Sequence, residues 1–145
     1  MEEGPYPVFG GNGINGYHNK YFLENSTIVI GRVGAYCGAI HITPSKAWIT
    51  DNGLYVTNFI RDVNIIYLAQ VFRQMNFNQY AKVGGQPSIS QKTITVLKVP
   101  IPPIDVQHQI AVRIGREEDI IHNNYQVIDI FEQKIKDRIA KVWGE

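Results

Sequence analysis

The sequence predicts an α+β protein: a compact mixed domain of short strands and loops, followed by one long C-terminal helix of coiled-coil type. The start of the helix is marked, because Pro102 and Pro103 exclude helix before them and Asp105 can cap the first turn. Apolar residues then recur every seven positions, at Ile114, Ile121, Ile128, Ile135 and Val142. Upstream, β-branched runs alternate with turn residues and a single amphipathic segment, which is typical of a mixed globule.

The apolar seam of this helix lacks a complete second row. Ile110, Tyr125, Phe131 and Ile139 flank it irregularly, while polar residues interrupt it at Glu117, Asn124 and Arg138. At about 1.5 Å per residue the helix is on the order of 50 Å long, more than the diameter expected for a globule of the remaining residues. We therefore expect its apolar face to bind a second copy or other subunits, and the interruptions suggest several partners. The alternative is an amphipathic helix folded back on a core. The predicted interface consists of Ile114, Ile121, Ile128, Phe131, Ile135, Ile139 and Val142.

Composition bounds the class of protein. Apolar residues make up 44% of the 145 positions, with eight Tyr, six Phe and two Trp, which is ample for one core plus an appendage. We recognise no signal peptide, and no apolar run reaches the length of a membrane span. A single Cys excludes an internal disulfide and fits a reducing cytoplasm, where we expect the protein.

Charge is distributed unevenly along the chain, although the net charge is only +1. Residues 4–104 contain eight basic and three acidic side chains, a net charge of +5. Residues 105–145 contain six basic and eight acidic side chains, a net charge of −2, and Glu2 and Glu3 add two more negative charges. The predicted globule is therefore basic and the helix mildly acidic, which permits phosphate binding without proving it.

The pattern upstream of the helix predicts the remaining elements. Strands are expected at residues 6–9, 27–31 and 37–42, with the last two forming a hairpin whose tip carries Arg32 and Tyr36. Residues 47–50 and 54–57 resemble a further pair of strands around a turn at 50–53. Residues 63–75 have a helical apolar face with Asp62 or Asn64 as the cap, and residues 96–101 suggest a last strand.

Two loops stand out. Residues 10–20 interleave Gly with Asn, two residue types that tolerate positive φ, so this segment is either a tight loop that exposes its backbone or an ordinary hairpin connection. It has neither the Lys-Ser or Lys-Thr ending of a mononucleotide loop nor the spacing of a dinucleotide fingerprint. Residues 82–92 form a second loop, polar and rich in Gly.

Catalysis within the chain is disfavoured. Cys37 and His41 are four residues apart, but on a strand this separates them by about 13 Å, too far for an imidazole to activate a thiol. The other His residues show no metal-ligand spacing, and no carboxylate pair suggests acid–base chemistry. What remains is a set of loops whose Asn, Gln, Arg, Lys and Ser side chains suit base edges and phosphates. Composition alone leaves carbohydrate and peptide binding open.

Five segments in one order carry a family resemblance, over residues 6–111. They are YPVFGGNGINGYHNKY, TIVIGRVGAYCGAIHIT, TDNGLYV, GGQPSISQK and VPIPPIDVQHQIA. This succession resembles the target recognition domain of type I restriction–modification specificity subunits, and the helix resembles the spacer attached to each such domain. The resemblance implies a non-catalytic protein that reads half of a bipartite DNA target. It also implies partner subunits: modification subunits that methylate adenine with S-adenosylmethionine, and a restriction subunit. This chain itself would need no cofactor. Fused type II restriction–methylation enzymes carry a similar module and stay open as an alternative.

The chain departs from the family pattern in two ways. Family domains usually begin with a longer segment before the equivalent of Tyr6, and a full specificity subunit holds two recognition domains and two spacer helices. A naturally shortened subunit, a fragment of a longer chain and a differently organised relative all remain open. With residues 1–104 as the recognition domain and 105–145 as the spacer, we expect a two-fold antiparallel dimer that mimics a full-length subunit.

Loop residues are the predicted DNA contacts. They comprise Asn12, Asn15, His18 and Lys20 on the first loop, Arg32 and Tyr36 on the hairpin tip, and Gln86, Ser88, Ser90, Gln91 and Lys92 on the late loop. A non-enzymatic α+β module that assembles a complex unrelated to DNA through its helix is the competing prediction. No metal is expected.

Overall fold

A computed structural model describes residues 3–82 and 84–144. Residue 83 of the predicted late loop, and the ends of the two predicted domains at residues 1, 2 and 145, lie outside this range. The chain divides into two compact units, Met1–Gln107 and His108–Glu145. Strands, short helices and the start of a long helix make up the first unit, which confirms the α+β prediction.

The first unit contains two small sheets. Their strands are β1 (Tyr6–Gly10), β2 (Gly13–His18), β3 (Ile28–Gly31), β4 (Ile40–Ile42), β5 (Trp48–Ile49) and β6 (Gly53–Tyr55). One sheet has the order β2-β1-β5, with β1 antiparallel to β2 and parallel to β5. The other has the order β4-β3-β6 and is antiparallel throughout. All four residues of β3 are buried, as their continuous β-branched run predicted.

The predicted pairing of residues 47–50 with residues 54–57 is wrong. A turn does connect them, with the Gly53 amide donating to the Thr50 carbonyl at 3.1 Å. However, β5 pairs with β1 and β6 pairs with β3, so the turn crosses from one sheet to the other. Pairing with β1 and β3 gives β5 and β6 more deeply buried neighbours than they would have in each other. All of β3 is buried, and β1 ends in three buried residues.

Helix α1 (Ile65–Gln74) confirms the predicted amphipathic helix and identifies its cap. The Asn64 carboxamide oxygen accepts hydrogen bonds from the amides of Ile66 and Tyr67, both at 3.0 Å, so Asn64 and not Asp62 satisfies the first turn. The buried face of α1 packs against β3 and β4 in one core. A 3-10 helix (Phe77–Tyr80) follows and inserts Phe77, which is 1% exposed, into that core.

Two further strand predictions need correction. A strand was expected at residues 37–42, but only residues 40–42 form one. Residues 37–39 belong to the turn region before β4. Residues 96–101 form no strand; they follow the short helix α2 (Gln91–Ile94) as an irregular segment. Leu97, Val99 and Ile101 still pack against the core from this segment. The apolar residues that alternate along this segment are therefore partly buried, although its backbone pairs with no strand.

The long helix α3 spans 40 residues, Ile104–Trp143, and has Asp105 in its first turn. At about 1.5 Å per residue it is roughly 60 Å long. Its start is fixed within the first unit by Gln107, whose side chain is 1% exposed. The Gln107 carboxamide accepts from the Asn64 amide at 2.9 Å and donates to the Pro102 carbonyl at 2.7 Å. One buried side chain thus joins the start of α3 to the N-cap of α1.

Candidate nucleic-acid interface

Three connections between strands meet at the end of the sheets where β1 and β3 finish. The Arg32 amide, just after β3, donates to the Asn52 carbonyl in the β5–β6 turn at 2.9 Å. Gly31 lies beside the β1–β2 turn: a Cβ at this position would be 2.5 Å from the Gly11 carbonyl oxygen. Only glycine allows backbones to approach this closely. The first loop, the hairpin connection and the β5–β6 turn therefore form one surface.

The late loop joins this surface through its backbone. Gly34 donates to the Pro87 carbonyl and Ile89 donates to the Arg32 carbonyl, both at 2.9 Å. Ser88 pairs with Val33 on one side and with Lys82 on the other as isolated bridges. Ile89 itself is 1% exposed and belongs to the core, so the loop is anchored next to the hairpin connection.

Four of the predicted contact residues come together at this place. Arg32 and Gln86 are exposed on adjoining loops, Ser88 is half-buried between them, and Asn12 is exposed on the β1–β2 turn. The Arg32 guanidinium donates to the Asp51 carbonyl at 3.3 Å, which orients it and leaves most of its donors available. Tyr36, 55% exposed, extends from the same connection as Arg32.

Other predicted residues of the first loop lie elsewhere. The hairpin interpretation of that segment is right, because His18 pairs with Tyr6 at the open end of the β1–β2 hairpin. The His18 ring also stacks edge-on against Trp48, with ring centroids 5.5 Å apart. Lys20 follows β2 beyond this end, and Asn15 is exposed in the middle of β2. A strand of six residues extends about 20 Å, so His18 and Lys20 are far from the turn that carries Asn12.

The last three predicted residues belong to α2 and not to a loop. Ser90 is its N-cap: the hydroxyl accepts from the Thr93 amide at 3.3 Å and lies 2.9 Å from the Thr93 hydroxyl. Gln91 and Lys92 occupy the first turn and are exposed. Contact of these eleven residues with DNA remains a prediction.

Sequence reasoning missed an aromatic group. Phe22 packs edge-on against Trp48 with ring centroids 5.2 Å apart, and lies 5.7 Å from the Tyr55 ring. Phe22 and Tyr55 are 42% and 38% exposed. Phe22, Trp48 and Tyr55 are scattered over more than 30 positions, so no local pattern could have indicated that they would form a group.

The geometry of Cys37 and His41 is unfavourable for thiol chemistry. Cys37 is buried, its Sγ lies 3.4 Å from the Arg32 carbonyl, and burial raises its pKa, which disfavours the thiolate. Burial, and secondarily the charge of Arg73, lowers the pKa of His41.

In the described part of the chain, no three His, Cys, Asp or Glu side chains cluster in a way that could hold a metal ion. Among residues 3–82 and 84–144, no helix is long and apolar enough to cross a bilayer.

Taken together, a small α+β unit that presents several adjoining loops, and a helix of 40 residues, define a recognition module with a helical extension. Comparison with known proteins identifies its family. Residues 1–139 match the family model of the type I restriction modification DNA specificity domain, and the chain belongs to this family.

Curated relatives and a solved structure agree with this assignment. The chain is 30% identical over 122 residues to the type I restriction enzyme EcoprrI specificity subunit of Escherichia coli, covering 84% of this chain and 30% of that protein. It is 28% identical over 88 residues to the putative type I restriction enzyme MjaX specificity subunit of Methanocaldococcus jannaschii, covering 59% of this chain and 21% of the relative. The crystal structure of a type I restriction-modification S subunit from M. genitalium has the same fold, with a TM-score of 0.68 at 18% identity, over 90% of this chain and 36% of that one. The chain thus spans about a third or less of each relative.

Proposed function

We propose that this chain is a sequence-specific DNA-binding specificity component of a type I restriction–modification system and reads one half of a bipartite target. The observation that carries the proposal is the convergence of the β1–β2 turn, the hairpin connection and the late loop on one surface. These loops are held by backbone hydrogen bonds, which leaves their side chains available for a ligand. Membership in the DNA specificity domain family indicates that the ligand is DNA.

The chemistry of this surface suits a duplex. Arg32 can bond a guanine edge with two donors, Gln86 and Asn12 can bond adenine, and Ser88 suits a phosphate. Residues 4–104 are net basic, which supports the electrostatic part of binding. The chain has no catalytic step in this proposal: modification subunits would methylate adenine with S-adenosylmethionine, and a restriction subunit would join through the complex. The assembly would act in the cytoplasm.

The long helix supports a further part of the proposal, a homodimer. Its apolar side chains are exposed in the described structure, including Ile121 at 55% and Ile135 at 58%. Two copies that pair along this face would supply two recognition units and two spacer helices, the number found in a full specificity subunit. Such a dimer would read a palindromic bipartite site. A spacer of about 50–60 Å corresponds to roughly 15–18 unread base pairs as an upper bound.

Binding to duplex libraries at two salt concentrations tests the DNA proposal. We expect Gln86→Ala to relax the preference at one position of the half-site, with a loss of about 1–3 kcal/mol on the preferred sequence. Lys92→Ala, if Lys92 contacts phosphate, would weaken all sequences alike and flatten the salt dependence. A chain that fails to bind any duplex at low salt, with its modification subunit present, would contradict the proposal and favour a module unrelated to DNA.

Sedimentation at tens of micromolar tests the dimer separately. We expect wild-type protein to sediment as a dimer and Ile128→Asp to sediment as a monomer, because an aspartate at the middle of the seam would bury an unpaired charge. Asn123→Asp, on the side of the helix away from the seam, is the matched control and should remain a dimer. A wild-type monomer would contradict the dimer.

A further inference from the structure

The polar interruptions of α3 form a pattern of their own. A second row recurs every seven residues, four positions before each seam residue from Ile114 to Val142. Its members are Ile110, Glu117, Asn124, Phe131 and Arg138. In heptad terms the seam occupies a and this row occupies d, so both would face a paired helix. Only Ile110 and Phe131 in this row are apolar, and the row carries a negative charge at Glu117 near one end and a positive charge at Arg138 at the other.

This face is uncovered in the described helix. Ile121, Ile128 and Phe131 are 55%, 49% and 57% exposed. Exposed apolar side chains repeated along four heptads indicate a surface that binds another helix. The order of charges in the second row shows which helix would fit.

We infer that the helix of a second copy binds here in the antiparallel direction, in a register centred on residue 126, with Glu117 of each copy paired to Arg138 of the other. This inference rests on the homodimer proposed above, for which the antiparallel direction is already expected, and specifies its register and polar contacts. In antiparallel pairs, a positions of one helix lie level with d positions of the other. The central register therefore places Val142 level with Ile110 of the second copy, and Ile121 level with its Phe131.

The charges fit this register. Glu117 lies level with Ile135 of the second copy, and Arg138 of that copy is three residues further along. The axial offset between the two charged residues is about 4.5 Å, which their side chains easily span. Two-fold symmetry makes the contact twice. The two Asn124 side chains fall on either side of the two-fold axis, about 6 Å apart along the helix direction, and each lies level with an Ile128 of the other copy.

Other arrangements fit less well. A parallel pair would place Glu117 against Glu117 and Arg138 against Arg138, two layers of like charge in the interface. An antiparallel shift by one heptad in either direction leaves Ile110 or Val142 without its apolar partner. It also changes the axial offset between Glu117 and Arg138 to about 6 or 15 Å. The central register alone among these three antiparallel choices aligns both apolar ends.

Competing contacts are weak. Within one helix, Glu117 accepts from Arg113 at 3.1 Å, but the two side chains are 59% and 81% exposed, so water screens this pair and Glu117 can exchange it for Arg138. In the proposed register, Arg113 approaches Lys141 and Glu118 approaches Glu132 of the second copy at the edges of the interface. These like charges lie at solvent-facing positions, where repulsion is small.

Charge reversal in the full-length chain tests the inference. Sedimentation over a concentration series would compare wild type with Glu117→Arg, Arg138→Glu, the double variant and an equimolar mixture of the two single variants. Each single variant creates two like-charge contacts, so its dimer dissociation constant should rise about ten-fold or more. The double variant and the mixture restore opposite charges and should dimerise like wild type. Arg116→Glu, a charge reversal at a position of α3 outside both rows, is the matched control and should leave dimerisation unchanged.

A cross-linking experiment reports the direction. A mixture of Ile110→Cys and Val142→Cys proteins should form a disulfide between the two variants under mild oxidation, while each variant alone should not. Cross-links within each variant alone would indicate a parallel pair and overturn the inference. A wild-type dimer unaffected by the single charge reversals would also overturn it while leaving the proposed homodimer intact. A wild-type monomer would overturn both. Far-UV circular dichroism of each variant verifies that the helix is still formed.

Discussion

The two units of this chain treat their apolar residues in opposite ways. In the first, Phe77, Ile28 and Ile89 are at most 1% exposed and belong to one core. In the second, most apolar side chains, such as Ile128 and Phe131, are about half exposed. Burial of apolar area is the main stabilising contribution to folding, so the first unit has an internal source of stability. The second retains apolar surface that another molecule can still cover.

The largest test of this contrast replaces one phenylalanine in each unit. Phe77→Ala should reduce the free energy of unfolding by about 3–5 kcal/mol, because it removes a fully buried ring and leaves a cavity. Phe131→Ala should change the stability of the monomer little, because its side chain is 57% exposed. Urea unfolding measured at dilution below the dimer dissociation constant makes the comparison. Equal effects at the two positions would mean that the units do not differ as described.

A second test compares two glutamines. Gln107→Leu should cost about 1–3 kcal/mol, because the Asn64 amide and the Pro102 carbonyl each lose a partner in a buried place. Gln126→Leu removes only an exposed contact with His122 and should be nearly neutral. Chemical denaturation with equal m-values for both variants would verify that the comparison measures stability. A neutral Gln107→Leu would show that this link does not secure the start of α3.

A third test separates local structure from DNA contact at Ser90. Ser90→Ala should destabilise the protein by about 0.5–1 kcal/mol, since the hydroxyl caps α2. Ser90→Asp keeps a capping oxygen but adds negative charge. The aspartate variant should therefore keep its stability. If Ser90 contacts phosphate, this variant should also bind duplex more weakly than the alanine variant. Equal DNA binding by both variants would limit Ser90 to capping.

The smallest expected effect is a pH dependence in the first unit. Burial lowers the pKa of His41 below its unfolded value of about 6.5, so the unfolded chain binds a proton that the folded chain does not. Stability from this residue is therefore fully present above about pH 6.5 and decreases as the pH falls from there toward the folded pKa. His41→Gln should flatten thermal stability between about pH 6.5 and 5, with His122→Gln on the exposed face of α3 as the control. An unchanged slope in His41→Gln would contradict this account.

Local patterns predicted much of this fold. The long helix, the amphipathic helix with Asn64 as one candidate cap, and the β3–β4 hairpin depend on neighbouring residues and were predicted correctly. Strand partners were predicted poorly where the pairing is between distant segments. β5 and β6 are joined by a clear turn, yet each pairs with a different sheet because those neighbours bury it better. The apolar alternation at residues 96–101 predicted burial correctly and a strand wrongly.

The candidate interface shows the same limit. Sequence selected Asn12, Arg32, Gln86 and Ser88 by residue type, and the structure brings the loops that carry them together. The structure places His18 and Lys20 away from these loops. They lie at the open end of the β1–β2 hairpin, whereas Asn12 lies in its turn. Ser90 illustrates a third outcome, since the same hydroxyl chemistry that suits a phosphate also caps a helix. Residue type describes what a side chain can bind but not what stands beside it.

By itself the sequence determined the fold class, the long helix, its seven-residue seam and the family resemblance, all of which depend on periodicity or on the order of segments. The tertiary structure decided which strands share a sheet, which loops form one surface and how deeply each apolar side chain is buried. These depend on contacts between residues far apart in the chain, such as Arg32 with Asn52 and Gly34 with Pro87. Such contacts are selected by the packing of the whole core, which no local pattern encodes.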